Sequence, residues 1–196
     1  VVTGAWGIWQ PKILHLLRCE KPVSRKLVKR ILSVKCSEFY FTRSAWLPAA
    51  PDVVCRWHEN PRNLRSICPP WLKVRDVIAE AVARPGEEFF LHVSQFGFPL
   101  RWRGIWLEVD RPHLLVDGAI SSPFATWRHE HHFAPARGGT EMTDKVRCQL
   151  RPPLACLPGA NLALRLVFTV MFRGRHQATR DYFTRDPQAD TPLPGD

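Results

Sequence analysis

The chain has 196 residues, 45% of them hydrophobic, with 28 Lys and Arg against 18 Asp and Glu. That length fits one ordinary domain with a tail, and the apolar fraction excludes wholesale disorder. The longest uncharged stretch, Pro152–Leu164, has 13 residues and is broken by prolines, too short for an integral membrane span.

The net charge of +10 is unevenly spread. Residues 1–36 carry eight bases and one acid, whereas the remainder is nearly balanced. The body has no basic stripe interleaved with aromatics and no zinc-finger spacing, so no nucleic-acid partner is expected. Residues 1–36 read as a basic, poorly ordered extension. Leu14, Leu17, Leu27, Ile31 and Leu32 suggest an amphipathic membrane-surface anchor or a leader instead, but their spacing is irregular and Pro22 interrupts it. The cysteines (Cys19, Cys36, Cys55, Cys68, Cys148, Cys156) form no C-x-x-C pair. Cys55, Cys68 and Cys148 sit among apolar residues and read as small core hydrophobes, and a reducing cytoplasm is the simpler expectation.

From Ser37 the pattern becomes regular. Glu38–Leu47, rich in aromatics, predicts a first strand. Pro51–Glu59 predicts a short helix with proline in its first turn. Asn60-Pro61 caps a second short helix bearing Leu64, Ile67 and Cys68, which Pro69-Pro70 ends. Six strands are expected over Trp71–Ala79, Glu87–Phe98, Leu100–Asp110, His113–Ile120, Pro123–Ala134 and Thr140–Leu150. Their short connections imply antiparallel neighbours. Ala160–Phe183 predicts a long amphipathic helix whose buried stripe is Ala160, Leu164, Val167, Met171, Gly174, Ala178 and Tyr182. Asp186 onwards reads as a frayed tail.

This order makes an α+β domain over 37–185: a curved antiparallel sheet of about seven strands, two short helices after the first strand, and a terminal helix as cover. At about 24 residues the helix spans roughly 36 Å, enough to cross the sheet. The gap between them is expected to be an apolar chamber with the short helices at its mouth.

Three groups of words then carry a resemblance. They are Phe41-Thr-Arg-Ser-Ala-Trp-Leu-Pro-Ala-Ala-Pro-Asp with His58-Glu-Asn-Pro-Arg-Asn-Leu and Cys68-Pro-Pro-Trp; Phe98-Pro-Leu-Arg-Trp with Ser122-Pro-Phe-Ala-Thr-Trp-Arg-His-Glu-His-His-Phe; and Gly139-Thr-Glu-Met-Thr-Asp-Lys-Val. In this order they resemble the SRPBCC (START-related, birch-pollen-allergen-like) helix-grip superfamily over about residues 38–185. Within it they are similar to a bacterial ligand-binding, cyclase/dehydrase-like subgroup. Cys148-Gln-Leu-Arg-Pro-Pro departs from that pattern, which has an aromatic near Cys148. The resemblance implies a cavity for a small apolar or lipid-like molecule. It also implies, as alternatives, a polyketide-cyclase-like enzyme or an interaction protein linked to cell division.

The residues themselves offer one polar constellation. On a strand Trp127, His129, His131 and Phe133 share a face, and Asp144 shares one with Met142 and Val146 in the next strand. If both faces point inward, His129, His131 and Asp144 converge, either as a packed hydrogen-bonded set, as ligand contacts, or as an acid–base pair. Two histidines and a carboxylate also suit a metal, but spacing reveals no third ligand beyond them, so neither metal nor cofactor is expected. Trp71, Trp102, Trp106 and Trp127 are candidate pocket walls, Trp71 as a gate. Phe168, Met171 and Phe172 face the same space from the helix. His58 reads as a turn residue, and Arg101, Arg103 and Arg128 as a solvated outer face. No G-x-S-x-G, P-loop or G-x-G-x-x-G is present, which removes hydrolase and nucleotide readings.

Overall fold

Alternation along the chain builds a seven-stranded antiparallel sheet in the order β1-β7-β6-β5-β4-β3-β2. The structure is a computed structural model and describes residues 38–95 and 97–186. The expected 1–36 extension and most of the tail lie outside them. Strand β1 is Phe39–Leu47, β2 Leu72–Ile78, β3 Glu88–Gln95, β4 Phe98–Asp110, β5 Leu114–Ser121, β6 Phe124–Ala136 and β7 Gly139–Leu150. Helix α1 is Pro51–Glu59, α2 is Leu64–Ile67 after a 3-10 turn at Pro61–Asn63, and α3 is Ala160–Arg185.

Local chemistry accounts for these boundaries. Pro51 opens α1, where its missing N–H costs nothing. Asn60 then ends α1 and caps the next turn, its Oδ1 accepting the Arg62 N–H at 3.1 Å. Register shifts in the β2/β3, β4/β5 and β6/β7 ladders mark bulges. Such irregularities increase local twist and bend the sheet.

The β6–β7 turn carries Arg137 and Gly138 at positive φ, 49° and 72°. This is the geometry a tight hairpin needs. Beside it Gly139 sits flat against β1, and an added Cβ would collide with the Leu47 backbone oxygen. Gly139→Ala is therefore expected to lower stability by about 1–3 kcal/mol, because the obstacle is backbone and cannot rotate away. A thermal midpoint equal to that of the unaltered chain would contradict this.

Helix α3 lies over β1 and α2. Near its start Phe168 meets Phe39 and Phe41 edge-on, at ring separations of 5.5 and 5.6 Å. Towards its end Tyr182 and Phe183 pack on Trp57 of α1. The buried line along the helix is Leu164, Phe168, Phe172, His176, Thr179 and Phe183. This corrects the expected stripe: Val167 is 36% exposed, while Phe168 and Phe172 are buried. Leu162, Leu166 and Val170 are apolar yet exposed, so periodicity alone could not say which apolar row faces the sheet.

Two apolar cores result. One joins Leu47, Val54, Trp57, Leu115, Phe133 and Phe183. The other joins Phe39, Phe41, Val146, Cys148, Phe168 and Phe172. Cys55 and Cys148 are buried thiols, and burial pushes both up to about 12, in keeping with inert packing. On the outer face Arg103 grips Glu88 through two hydrogen bonds and Arg128 pairs with Glu130, exposed contacts of small energetic value. Among the described residues no helix is long and apolar enough to cross a membrane.

Candidate functional site

A seam of ionisable side chains runs between the two cores. Strand register puts Asp117 opposite His129 and His131 opposite Asp144. All four point to the concave side and are buried. His176 joins them from α3, one turn beyond Phe172.

Asp144 is the hub and is only 1% exposed. Its Oδ2 accepts from His176 Nε2 at 2.5 Å and its Oδ1 from His129 Nε2 at 3.1 Å. His131 Nδ1 lies 2.7 Å from the same Oδ1, off the line a directed hydrogen bond needs. On the far side of the rings, Asp117 Oδ2 stands 3.2 Å from His129 Nδ1 and 3.6 Å from His131 Nε2. Asp117 Oδ1 accepts the Trp127 indole N–H at 2.9 Å. The two imidazoles lie with ring centres 4.0 Å apart, tilted by 49°, between two carboxylates.

Burial opposes every charge here, and pairing decides the outcome. Burial disfavours the His129 cation, but its contacts with Asp117 and Asp144 outweigh that and hold it up at about 9. Burial would likewise raise Asp144, yet the close approach of His131 and the hydrogen bonds from His129 and His176 keep it well below the usual carboxylate range. Asp117 is held down by His129 and His131 against the same desolvation.

His58 is a further member that the sequence reading assigned to a turn. Its ring is buried at the end of α1, 5.8 Å from that of His131 and 5.4 Å from Phe133. Its Nδ1 lies 2.8 Å from the Val54 carbonyl oxygen, so Nδ1 carries the proton and Nε2 the lone pair. That Nε2 has no partner. Burial, then the nearby His131 charge, lower His58 to about 3, so it stays neutral.

Of the residues singled out from sequence, the fold brings together His129, His131, Asp144 and Trp127. Trp102 packs edge-on against Trp127 at 4.9 Å, with Phe124 beside it, and these three are half-buried. Phe172 lies 5.5 Å from His129, and Phe168 and Met171 belong to the second core. Trp106 is set apart, buried against Phe89 in the first core. Trp71 is half-buried just before β2. Asp117 and His176 were not anticipated. An acid inside the apolar strand Leu114-Leu-Val-Asp-Gly-Ala-Ile, in phase with Leu115, was the available signal for the first. The i, i+4, i+8 spacing of Phe168, Phe172 and His176 was the signal for the second.

Beneath the long helix Phe39, Phe41, Phe168 and Phe172 pack together, none more than 6% exposed. Hollows open beside this packing. One of about 390 Å³ lies beside α1, lined by Cys55, Trp57, Glu59, Asn63, Arg111 and Pro112. Its wall is stiffened by Arg111, which donates to both oxygens of buried Glu59 and to the Ala83 carbonyl. A second, of about 400 Å³, opens between the starts of β1 and α3.

A curved antiparallel sheet holding one long C-terminal helix, with two short helices after the first strand, is the helix-grip architecture. Solved structures place the chain in that fold class. It is similar to ZhuI, an aromatase/cyclase from Streptomyces sp. R1128, with a TM-score of 0.64 at 15% identity over 80% of this chain and all of that one. StfQ, a di-domain aromatase/cyclase of the steffimycin biosynthetic pathway, gives 0.64 at 14% identity over 82% of this chain and 56% of that one. A START superfamily protein from Mycobacterium smegmatis gives 0.60 at 10% identity over 74% of this chain and 97% of that one. No family model and no curated protein matches the sequence. The likeness establishes a cavity-forming helix-grip fold, an architecture compatible with binding a small molecule.

Proposed function

We propose that the chain is an enzyme of the cyclase or dehydrase kind, acting by acid–base chemistry on a small, largely apolar carbonyl compound. The observation that carries this reading is the buried Asp144 shared by three imidazoles. A packing role alone gives no reason to bury five ionisable groups together, since each must overcome desolvation. Folds of this architecture include two proteins described as aromatase/cyclases, which supports the same reading.

The roles divide by geometry. His129 has a carboxylate on each ring nitrogen and serves as a stationary cation. His131 has Asp144 against Nδ1, while its Nε2 is only loosely approached by Asp117 at 3.6 Å, so this nitrogen exchanges the proton. This nitrogen is buried, His131 being 5% exposed, so a substrate would reach it only by parting the half-buried rings of Phe124, Trp127 and Trp102, whose faces suit a flat apolar body. At a β-hydroxy ketone, His131 in its neutral form, with its one proton on Nδ1 beside Asp144, takes the α-proton at Nε2 and the C–H electron pair forms the new C=C bond. The C–O bond breaks with its own pair, and the departing hydroxide takes that proton and leaves as water.

The test uses an aryl β-hydroxy ketone, whose conjugated enone product is followed by absorbance. His131→Ala is expected to lower turnover by about 10²-fold or more while leaving binding of the ketone nearly intact. Equal rates in the two proteins would remove His131 from the mechanism. Binding without turnover in the unaltered chain would replace the enzyme by a ligand carrier.

A further inference from the structure

We propose that Asp117, His129 and His131 form a binding site for one divalent transition-metal ion of the zinc type. One carboxylate oxygen and two imidazole nitrogens from these residues lie within 4.8 Å of one another. Ligands about 2.0–2.2 Å from a tetrahedral ion stand roughly 3.4 Å apart. The two carboxylate-to-ring separations, 3.2 Å from His129 Nδ1 and 3.6 Å from His131 Nε2, bracket that edge length. Little movement separates this arrangement from a coordinated one.

The surroundings argue further for an ion. Metal-bound histidines are commonly oriented by a carboxylate on the opposite ring nitrogen. Asp144 occupies that place for both rings, 3.1 Å from His129 Nε2 and 2.7 Å from His131 Nδ1. Asp144 is in turn fixed by His176 Nε2. The Trp127 indole holds the other oxygen of Asp117, which favours one-oxygen ligation. The charges of the two buried carboxylates match a dication. The nitrogen-rich set with one oxygen selects zinc-like ions over calcium or magnesium, which prefer all-oxygen shells.

This deepens the reading above by adding control of the same site. An ion on His131 Nε2 and a proton exchanged there exclude each other, so a loaded ion is expected to halt turnover. The test does not depend on turnover. The full chain, stripped of metal with a chelator, is titrated with Co²⁺ and followed by its visible absorption. Zn²⁺ affinity is then measured by displacement. The expected result is one equivalent of tetrahedral Co²⁺ without thiolate charge-transfer bands. Asp117→Asn and His129→Ala should each weaken binding at least about 10-fold, with circular dichroism reporting that they fold. If His129→Ala does not fold, Asp117→Asn alone decides. No visible bands, thiolate bands, or affinity unchanged in a folded Asp117→Asn would overturn the site. Turnover without metal binding leaves the acid–base reading standing. Metal binding together with no turnover by the metal-free chain removes that reading and leaves the site.

Discussion

Replacing Asp144 by alanine is expected to destabilise the domain by about 3–5 kcal/mol, because it leaves buried imidazoles without their counter-charge. Three rings lean on this one carboxylate, and it has almost no contact with solvent. The loss should lower the thermal midpoint by roughly 10 °C in a domain of this size. Asp144→Asn preserves shape and one acceptor oxygen, so it should fall between the two. A loss under about 1 kcal/mol for the alanine variant would place it among ordinary substitutions and would mean that the histidines do not depend on Asp144. Because Asp144 also orients both rings towards Asp117, the asparagine variant tests positioning apart from stability. Its Co²⁺ affinity should drop about 10-fold or more even where the fold survives.

The second large effect is expected at Phe172. Its side chain is fully buried, with ring centres 5.2 Å from Phe41 and 5.5 Å from His129. Along the helix it also meets Phe168 edge-on at 5.9 Å, and the Arg175 guanidinium lies 5.3 Å from its ring. Phe172→Ala should cost about 3–5 kcal/mol, combining lost transfer energy with the cavity left between helix and sheet. Val170→Ala, two residues away on the exposed row, should stay within about 0.5 kcal/mol. Chemical denaturation of both variants decides the matter. Similar losses at the two positions would mean that the helix packs through a different face. The Phe172 vacancy would adjoin His129, so the variant should also bind small aromatic molecules that the unaltered domain excludes.

Much of the architecture was legible in the chain. The turn residues at Pro69-Pro70, Arg84-Pro85-Gly86, Arg111-Pro112 and Gly138-Gly139 separate segments of period two, and hydrogen bonding can join them in few ways. Strand parity sufficed to put His129, His131 and Asp144 on one side, because side chains alternate strictly. The helix face was misjudged because α3 is apolar on more than one side. A polar residue, His176, occupies the buried row and makes it look less hydrophobic than the exposed one. His58 was misjudged because a histidine beside Asn-Pro is locally a turn residue, and only packing of α1 against β6 turns its ring inward.

Composition, turn chemistry and alternation by themselves determined the class of fold, the order of its elements and the side of the sheet on which the histidines lie. These follow from short-range sterics and from the apolar content of each segment. Tertiary structure decided how closely Asp117 and His176 approach the other members of the cluster, and where cavities open beside α1 and at the starts of β1 and α3. Those outcomes depend on strand register, sheet curvature and the rotation of one helix about its axis. Each is a balance of contacts between residues far apart in the chain, and no local pattern encodes it.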